Sequence, residues 1–247
     1  MATRVNQPQP NAKKSNKTML TAIIVLGVIF TLVPMLIGLY TDFLWFGELD
    51  FRGVFNRVII ARVVLFIVFA LLGGGIAYLA AWLAWRGRPD EMPEADLFSP
   101  SAQYRASIQQ GIRSLLVAVP LVVAVFSGLA GQRMWRTFLL WFNGSDFGVS
   151  DPQYGRDLGF YAFALPGLSV VVSTLSMLLI VAFLIALVAH SLLGGIRIGN
   201  RAVGQTGYVS KAARVQLAVT AGVWMLIKAV GYWLDRYFLL YGENDIF

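Results

Sequence analysis

No cysteine occurs in the 247 residues, and histidine occurs once, as His190. The first absence excludes disulfides, thiolate metal sites and cysteine nucleophiles. Charge is also scarce: Asp, Glu, Lys and Arg make up 13% of the chain, with 13 acidic residues against 20 basic ones. What fills the sequence is apolar. At 57% hydrophobic residues and a mean hydropathy of +0.68, the chain carries more apolar surface than one soluble core of this length can hide. Lipid must cover the rest. The net charge of +7 comes from basic residues scattered between apolar runs rather than gathered into a stripe. Anionic lipid headgroups, and not nucleic acid, are therefore the expected partner.

The apolar runs predict an all-α protein, a polytopic transmembrane helical bundle of about five spans with aromatic-rich outer loops and an interfacial helix. The expected spans are 19–40, 58–85, 115–131, 167–193 and 215–234. The first is an uncharged run of 22 residues, about 33 Å as a helix and long enough to cross the hydrocarbon core. Residues 1–18 contain Arg4, Lys13, Lys14 and Lys17 and no acid, and read as a disordered basic tail. Residues 41–57 mix aromatics with Asp42, Glu48 and Asp50, which suits a short loop at headgroup level. In the second span Gly73, Ala77 and Ala81 fall four apart, a face that lets another helix approach closely. Ser99 and Pro100 supply an N-cap and a first helical residue before the third span. In 132–142 the residues Trp135, Phe138, Leu139 and Phe142 share one face, the pattern of an interfacial helix. Residues 241–247 follow the bundle as a truncated extracytoplasmic end.

The segments 1–18, 86–114 and 194–214 hold 12 Lys or Arg against 6 in the opposite three. By the positive-inside bias this predicts a multi-pass protein of the cell membrane with a cytoplasmic N-terminus and the central loop, 143–166, outside.

That loop, NGSDFGVSDPQYGRDLGFYAFALP, is too polar and Gly-rich to continue a buried helix. Its Asp146, Asp151 and Asp157 offer hard oxygens that could hold calcium, but their spacing matches no EF-hand. Turn aspartates that bond their own backbone are the preferred reading. Lys228 sits 13 residues into the last span, where a charge costs about 2.5 to 3.5 kcal/mol and needs a partner or water. Asp235, two turns on, is a conceivable contact, and snorkelling to a polar pocket is preferred over an ion or proton pathway. His190 reads as a hydrogen-bonded packing or interface residue. The stretch 199–206 is one residue from a P-loop, with Gln205 where the phosphate-binding lysine belongs and no strand before it. No cofactor or metal motif, Ser/His/Asp arrangement or outward carboxylate dyad stands out, so an enzyme reading has no residues to name.

Taken together, FLWFGELDFRGVF at 43–55, GSDFGVSDPQYGRDLGFYAFALP at 144–166 and ARVQLAVTAGVWMLIKAVGYWLDRYFLL at 213–240 resemble the actinobacterial membrane proteins grouped as uncharacterised protein family (UPF) number 0182. The likeness covers nearly the whole chain from the first span onward. Lys228, Asp235 and Arg236 fall in the matching stretches, as do Asp146, Asp151, Arg156 and Asp157, and the resemblance assigns none of them a role. It implies about seven N-terminal spans followed by a much larger extracytoplasmic part. This chain, with five, is expected to be a fragment, a truncated product or the ordered portion of a longer protein.

Three functions compete. The first is a non-enzymatic membrane anchor or scaffold of a larger cell-envelope protein, binding protein partners through its outer loops. The second is a transporter or channel component with Lys228 near the pathway. The third is a membrane-embedded enzyme acting on lipid or envelope substrate through the loop acids.

Overall fold

The computed structural model describes residues 17–89, 100–197 and 207–240. The basic tail up to residue 16, the charged stretch 90–99, the near-P-loop and the end after residue 240 lie outside the described residues. Six α-helices dominate: α1 (Lys17–Glu48), α2 (Arg52–Arg86), α3 (Pro100–Arg133), α4 (Trp135–Phe142), α5 (Leu165–Leu192) and α6 (Lys211–Phe238). A π-helical turn, Phe160–Ala164, leads into α5, and a two-stranded antiparallel pair, β1 (Ile196–Arg197) and β2 (Tyr208–Val209), joins α5 to α6. Among the described residues, five helices are long and apolar enough to cross a membrane, over Thr21–Glu48, Arg52–Arg86, Ser114–Arg133, Phe160–Leu192 and Lys211–Phe238. The chain forms two compact units, Met1–Arg57 and Val58–Phe247.

In the first unit the expected headgroup loop over 41–57 shrinks to three residues. Neither Pro nor Gly interrupts the chain between Leu39 and Phe46, so α1 runs on to Glu48. The turn closes with Asp50 in the left-handed region at φ 58° and the Phe51 amide donating to Phe46 O at 2.9 Å. Phe55 then packs its ring against Phe43 and Phe46, each at 5.7 Å.

The second unit is built on close helix approach. Gly73, Ala77 and Ala81 are all buried, as their spacing predicts. A methyl group on Gly73 would strike Ser127 of α3, and one on Gly74 would strike Ala124. Reciprocally, Gly128 and Gly131 of α3 seat Phe66 and Phe69 of α2. Small residues on both helices let the backbones meet, which is how helices associate where no hydrophobic driving force separates them from lipid. Phe69 also meets Phe138 of α4 edge-on at 5.8 Å.

On α4, Phe138 is buried and Trp135 and Leu139 are half-buried, but Phe142 is 74% exposed. Trp141 packs in its place, because Gly167 of α5 leaves room for the indole. The fourth apolar helix starts at Phe160 and not at 167. Pro166 has no N–H to donate, and the turn before it widens so that the Leu165 amide reaches back to Phe160 O, a π-turn that absorbs the missing donor.

At the far end of α5, His190 is fully buried. Its Nε2 lies 2.9 Å from Gln216 Oε1, and Gln216 Nε2 donates to Ala80 O at 2.8 Å. Because the amide nitrogen must face that carbonyl, Gln216 presents oxygen to the ring, so Nε2 carries the proton. One side-chain relay thus ties α2, α5 and α6. Ser210 caps α6, its Oγ accepting from the Ala213 amide at 3.1 Å, and the Ser210 amide donates to Gly195 O at 2.7 Å.

Candidate functional site at the central loop

Residues 143–159 fold around two aspartates. The chain doubles back through an isolated antiparallel bridge between Ser150 and Asp157, with Gly148 and Gly155 in the left-handed region at φ 72° and 65°. Asp157 gathers the loop. Its Oδ1 accepts from the amides of Phe147 and Gly159 at 2.9 and 2.6 Å, and its Oδ2 from Gly148 at 2.8 Å. These donors, Phe147 and Gly159 foremost, hold its carboxyl below the ordinary value of 3.8. Gly159 must stay glycine here, since a methyl group would press on Ser145 O.

Asp151 closes the inner turn. Its Oδ2 accepts from the Tyr154 amide at 2.6 Å and from the Tyr161 hydroxyl at 3.3 Å, and the residue is 9% exposed. Both carboxylates therefore face N–H and O–H donors, the reverse of what a cation site presents. Asp146 is exposed. Arg156 is exposed too, with its guanidinium 5.6 Å from the centre of the Phe160 ring.

The turn held by Asp151 points Tyr154 at the end of α6. Its hydroxyl donates to Arg236 O at 3.3 Å, and its ring meets Tyr237 at 5.0 Å. Tyr237 is buried and also touches Phe160 at 5.4 Å and Trp233 at 5.5 Å. Into this aromatic group Arg236 places its guanidinium, 4.3 Å from Trp233, 4.5 Å from Tyr237 and 5.6 Å from Tyr154, while donating to the Tyr237 hydroxyl. A desolvated cation over ring faces is worth about 2 kcal/mol or more. The loop is thereby clasped to α6.

The two candidate residues on α6 do not join each other. Lys228 is half-buried, with Nζ 5.2 Å from the ring centre of Tyr232, one turn on, and Asp235 is exposed. Among the described residues Lys228 makes no ion pair. Of the seven residues named in the sequence, the fold brings Asp151, Arg156, Asp157 and Arg236 together around the clasp. For the ring partners of Arg236, namely Tyr154, Trp233 and Tyr237, the only signal was the aromatic density of the matching stretches.

Long apolar helices with large exposed side chains, such as Phe30 at 83%, Leu71 at 72% and Leu226 at 68%, define a helical bundle of the membrane-protein class. Within that class the chain belongs to the uncharacterised protein family UPF0182, which it matches over residues 19–247. It is 52% identical to a UPF0182 protein of Corynebacterium glutamicum and 51% identical to one of Corynebacterium diphtheriae, each over the whole of this chain and 25% of the relative. It is 42% identical to a UPF0182 protein of Rhodococcus jostii over 94% of this chain and 23% of that relative. The chain spans about a quarter of the length of the curated relatives it matches. No solved structure matches it.

Proposed function

We propose that this chain is the membrane anchor and scaffold of a larger cell-envelope protein, and that the central loop is a rigid platform presented on the extracytoplasmic side. The observation that carries this reading is the clasp: a loop of 17 residues in which Asp151 and Asp157 bind backbone amides of the loop itself, and whose Tyr154 is pinned to the end of α6. Such a loop has its shape set before any partner arrives, which lowers the ordering cost of binding a protein. The exposed Phe147, Val149 and Leu158 give that platform an apolar contact surface.

The test replaces 143–159 by a Gly/Ser linker of equal length. Membrane insertion is expected to persist while envelope proteins crosslinked to the wild type disappear. An unchanged set of crosslinked proteins would remove the scaffold reading.

A transport reading rests on Lys228, a half-buried cation within an apolar helix. Flux into liposomes that is the same for wild type and Lys228→Met would dispose of it.

A further inference from the structure

Of the long apolar helices in the second unit, α6 is the least covered: 6% of its apolar stretch is buried, against 22% for the helix that holds α5. Its packing side is marked by Trp224, whose indole donates to Ser176 Oγ at 2.9 Å, and by Gly231, where a methyl group would rest against Val172. Another face is open. It runs through Ala218, Gly222, Met225 and Ala229, all exposed and spaced four, three and four apart, a spacing that puts them on one side of the helix. A methyl group on Gly222 would meet nothing within 4 Å. Small residues at such spacing are what lets α2 and α3 meet in this same unit.

Lys228 borders that face, three residues after Met225. Its side chain is half-buried, and Nζ lies 5.2 Å from the ring centre of Tyr232. The ring draws the cation but leaves its N–H donors without an oxygen acceptor. Tyr232 is six residues, about 9 Å, inside the end of α6 at Phe238, so the ammonium stops short of that end. A charge at this depth is expensive unless it is paired. The described residues offer Lys228 neither a hydrogen bond nor an ion pair. Beyond α6 the described chain ends at residue 240, twelve residues or about 18 Å along the axis from Lys228. At the other end, where Gly87 presses on Ala212, the stretches 90–99 and 198–206 join the described chain; Ala212 is sixteen residues, about 24 Å, from Lys228.

We infer that this face of α6 seats a membrane-spanning helix that is not among the described residues and that carries a carboxylate at the depth of Lys228, the two side chains forming an ion pair inside the membrane. Charge selects this occupant over the others. A second copy meeting α6 through the same face would bring two Lys228 side chains to one depth in a medium that screens them poorly. Lipid tails would cover the alanines and Gly222 and still leave the ammonium unpaired, since lipid phosphates stand at the headgroup level. An acidic helix satisfies both features at once: the small residues allow close approach, and the carboxylate accepts the lysine N–H bonds. The inference rests on the membrane-bundle class and on neither the scaffold nor the transport reading. Its test alters neither the central loop nor a flux, so each can fail alone.

The experiment places the photo-crosslinker p-benzoylphenylalanine at Met225, which is 63% exposed, in the protein as it stands in its native membrane, and identifies the captured peptide by mass spectrometry. An apolar segment long enough to span the membrane and containing Asp or Glu is expected. Lys228→Met, which keeps an apolar side chain, should lower capture about fivefold, the size of one interhelical polar contact in a membrane, and Lys228→Arg should retain most of it. Gly222→Leu, at a position open in its own chain, should also lower capture while leaving unfolding in detergent as in the wild type. In a parallel sample a membrane-permeant carbodiimide should join Lys228 to the acid of the captured segment as an amide, the carbodiimide taking up the water as a urea. Capture of phospholipid alone, of a second copy, of a described helix of this chain or of a segment without an acid would overturn the proposal. So would capture unchanged by Lys228→Met or by Gly222→Leu, or coupling of Lys228 to Asp235, Glu243 or Asp245 of its own chain.

Discussion

Asp157 holds its loop only as an anion, because each of its three bonded amides is a donor and a protonated carboxyl would turn a proton toward one of them. Its carboxyl is held below 3.8 in the folded loop, so the stabilisation is complete above the unfolded value and is lost as pH falls through the lower, folded one. Amide exchange corrected for intrinsic rates should therefore show constant protection of Phe147, Gly148 and Gly159 above about pH 5 and a decline below about pH 4. Asp157→Asn, which removes the charge at every pH, should expose the same amides to roughly tenfold faster exchange at neutral pH. Protection equal to wild type in the asparagine variant would show that the loop is held by something else. The turn role of Asp151 and Asp157 was legible in the sequence because Asp beside Gly in a short polar stretch has few other uses. The clasp was not. Arg236 matters through Tyr154, which lies far away in the chain, and no local spacing reveals such a partner. Lys228 shows the converse: Asp235 is on its face by periodicity, yet the ammonium lies over Tyr232, a single turn away.

Among the helices, the apolar runs located the elements but not their ends. A helix continues past its apolar run wherever the backbone has no breaker, and for that reason α1 extends to Glu48 and leaves a three-residue turn. The start of the fourth apolar helix was misplaced because Pro166 resembles a boundary, whereas the π-turn Phe160–Ala164 accommodates it. The small-residue face of α2 was fully legible, and it makes a sharp prediction. Gly73→Ala would drive a methyl group into the Cβ of Ser127, which no rotamer change can move. Gly75→Ala, half a turn away, meets nothing within 4 Å. The first should lower stability by about 1–3 kcal/mol through overpacking. The second should be neutral or raise it by up to about 1 kcal/mol through helix propensity. Unfolding in mixed detergent micelles measures both. A similar loss for the two variants would mean that α2 and α3 do not meet through Gly73.

For the molecule as a whole, composition and hydropathy fix the class, while orientation depends on where charge gathers. In the described residues of the second unit Arg86, Arg88, Arg197, Lys211 and Arg214 stand at the α5–α6 connection, whereas all four acids, Asp146, Asp151, Asp157 and Asp235, stand at the central-loop end together with Arg133, Arg136, Arg156 and Arg236. This division follows from antiparallel packing of α5 and α6 around a basic hairpin, and the positive-inside bias then predicts the side each end occupies. The absence of cysteine makes the prediction unusually clean to check, since any introduced thiol is the only one in the chain. Gln153→Cys lies in the exposed part of the central loop, Phe51→Cys in the turn between α1 and α2, and Tyr208→Cys in the hairpin. In intact cells a membrane-impermeant maleimide should label the first two, and Tyr208→Cys only after permeabilisation. The outcomes separate two claims that composition alone joins. Reversed labelling would keep the spans and invert the orientation, moving the loop platform to the cytoplasm and ending the envelope-scaffold reading. Labelling of Gln153→Cys and Tyr208→Cys from the same side would mean that α5 does not cross at all, and with it would fall the membrane bundle on which the platform depends.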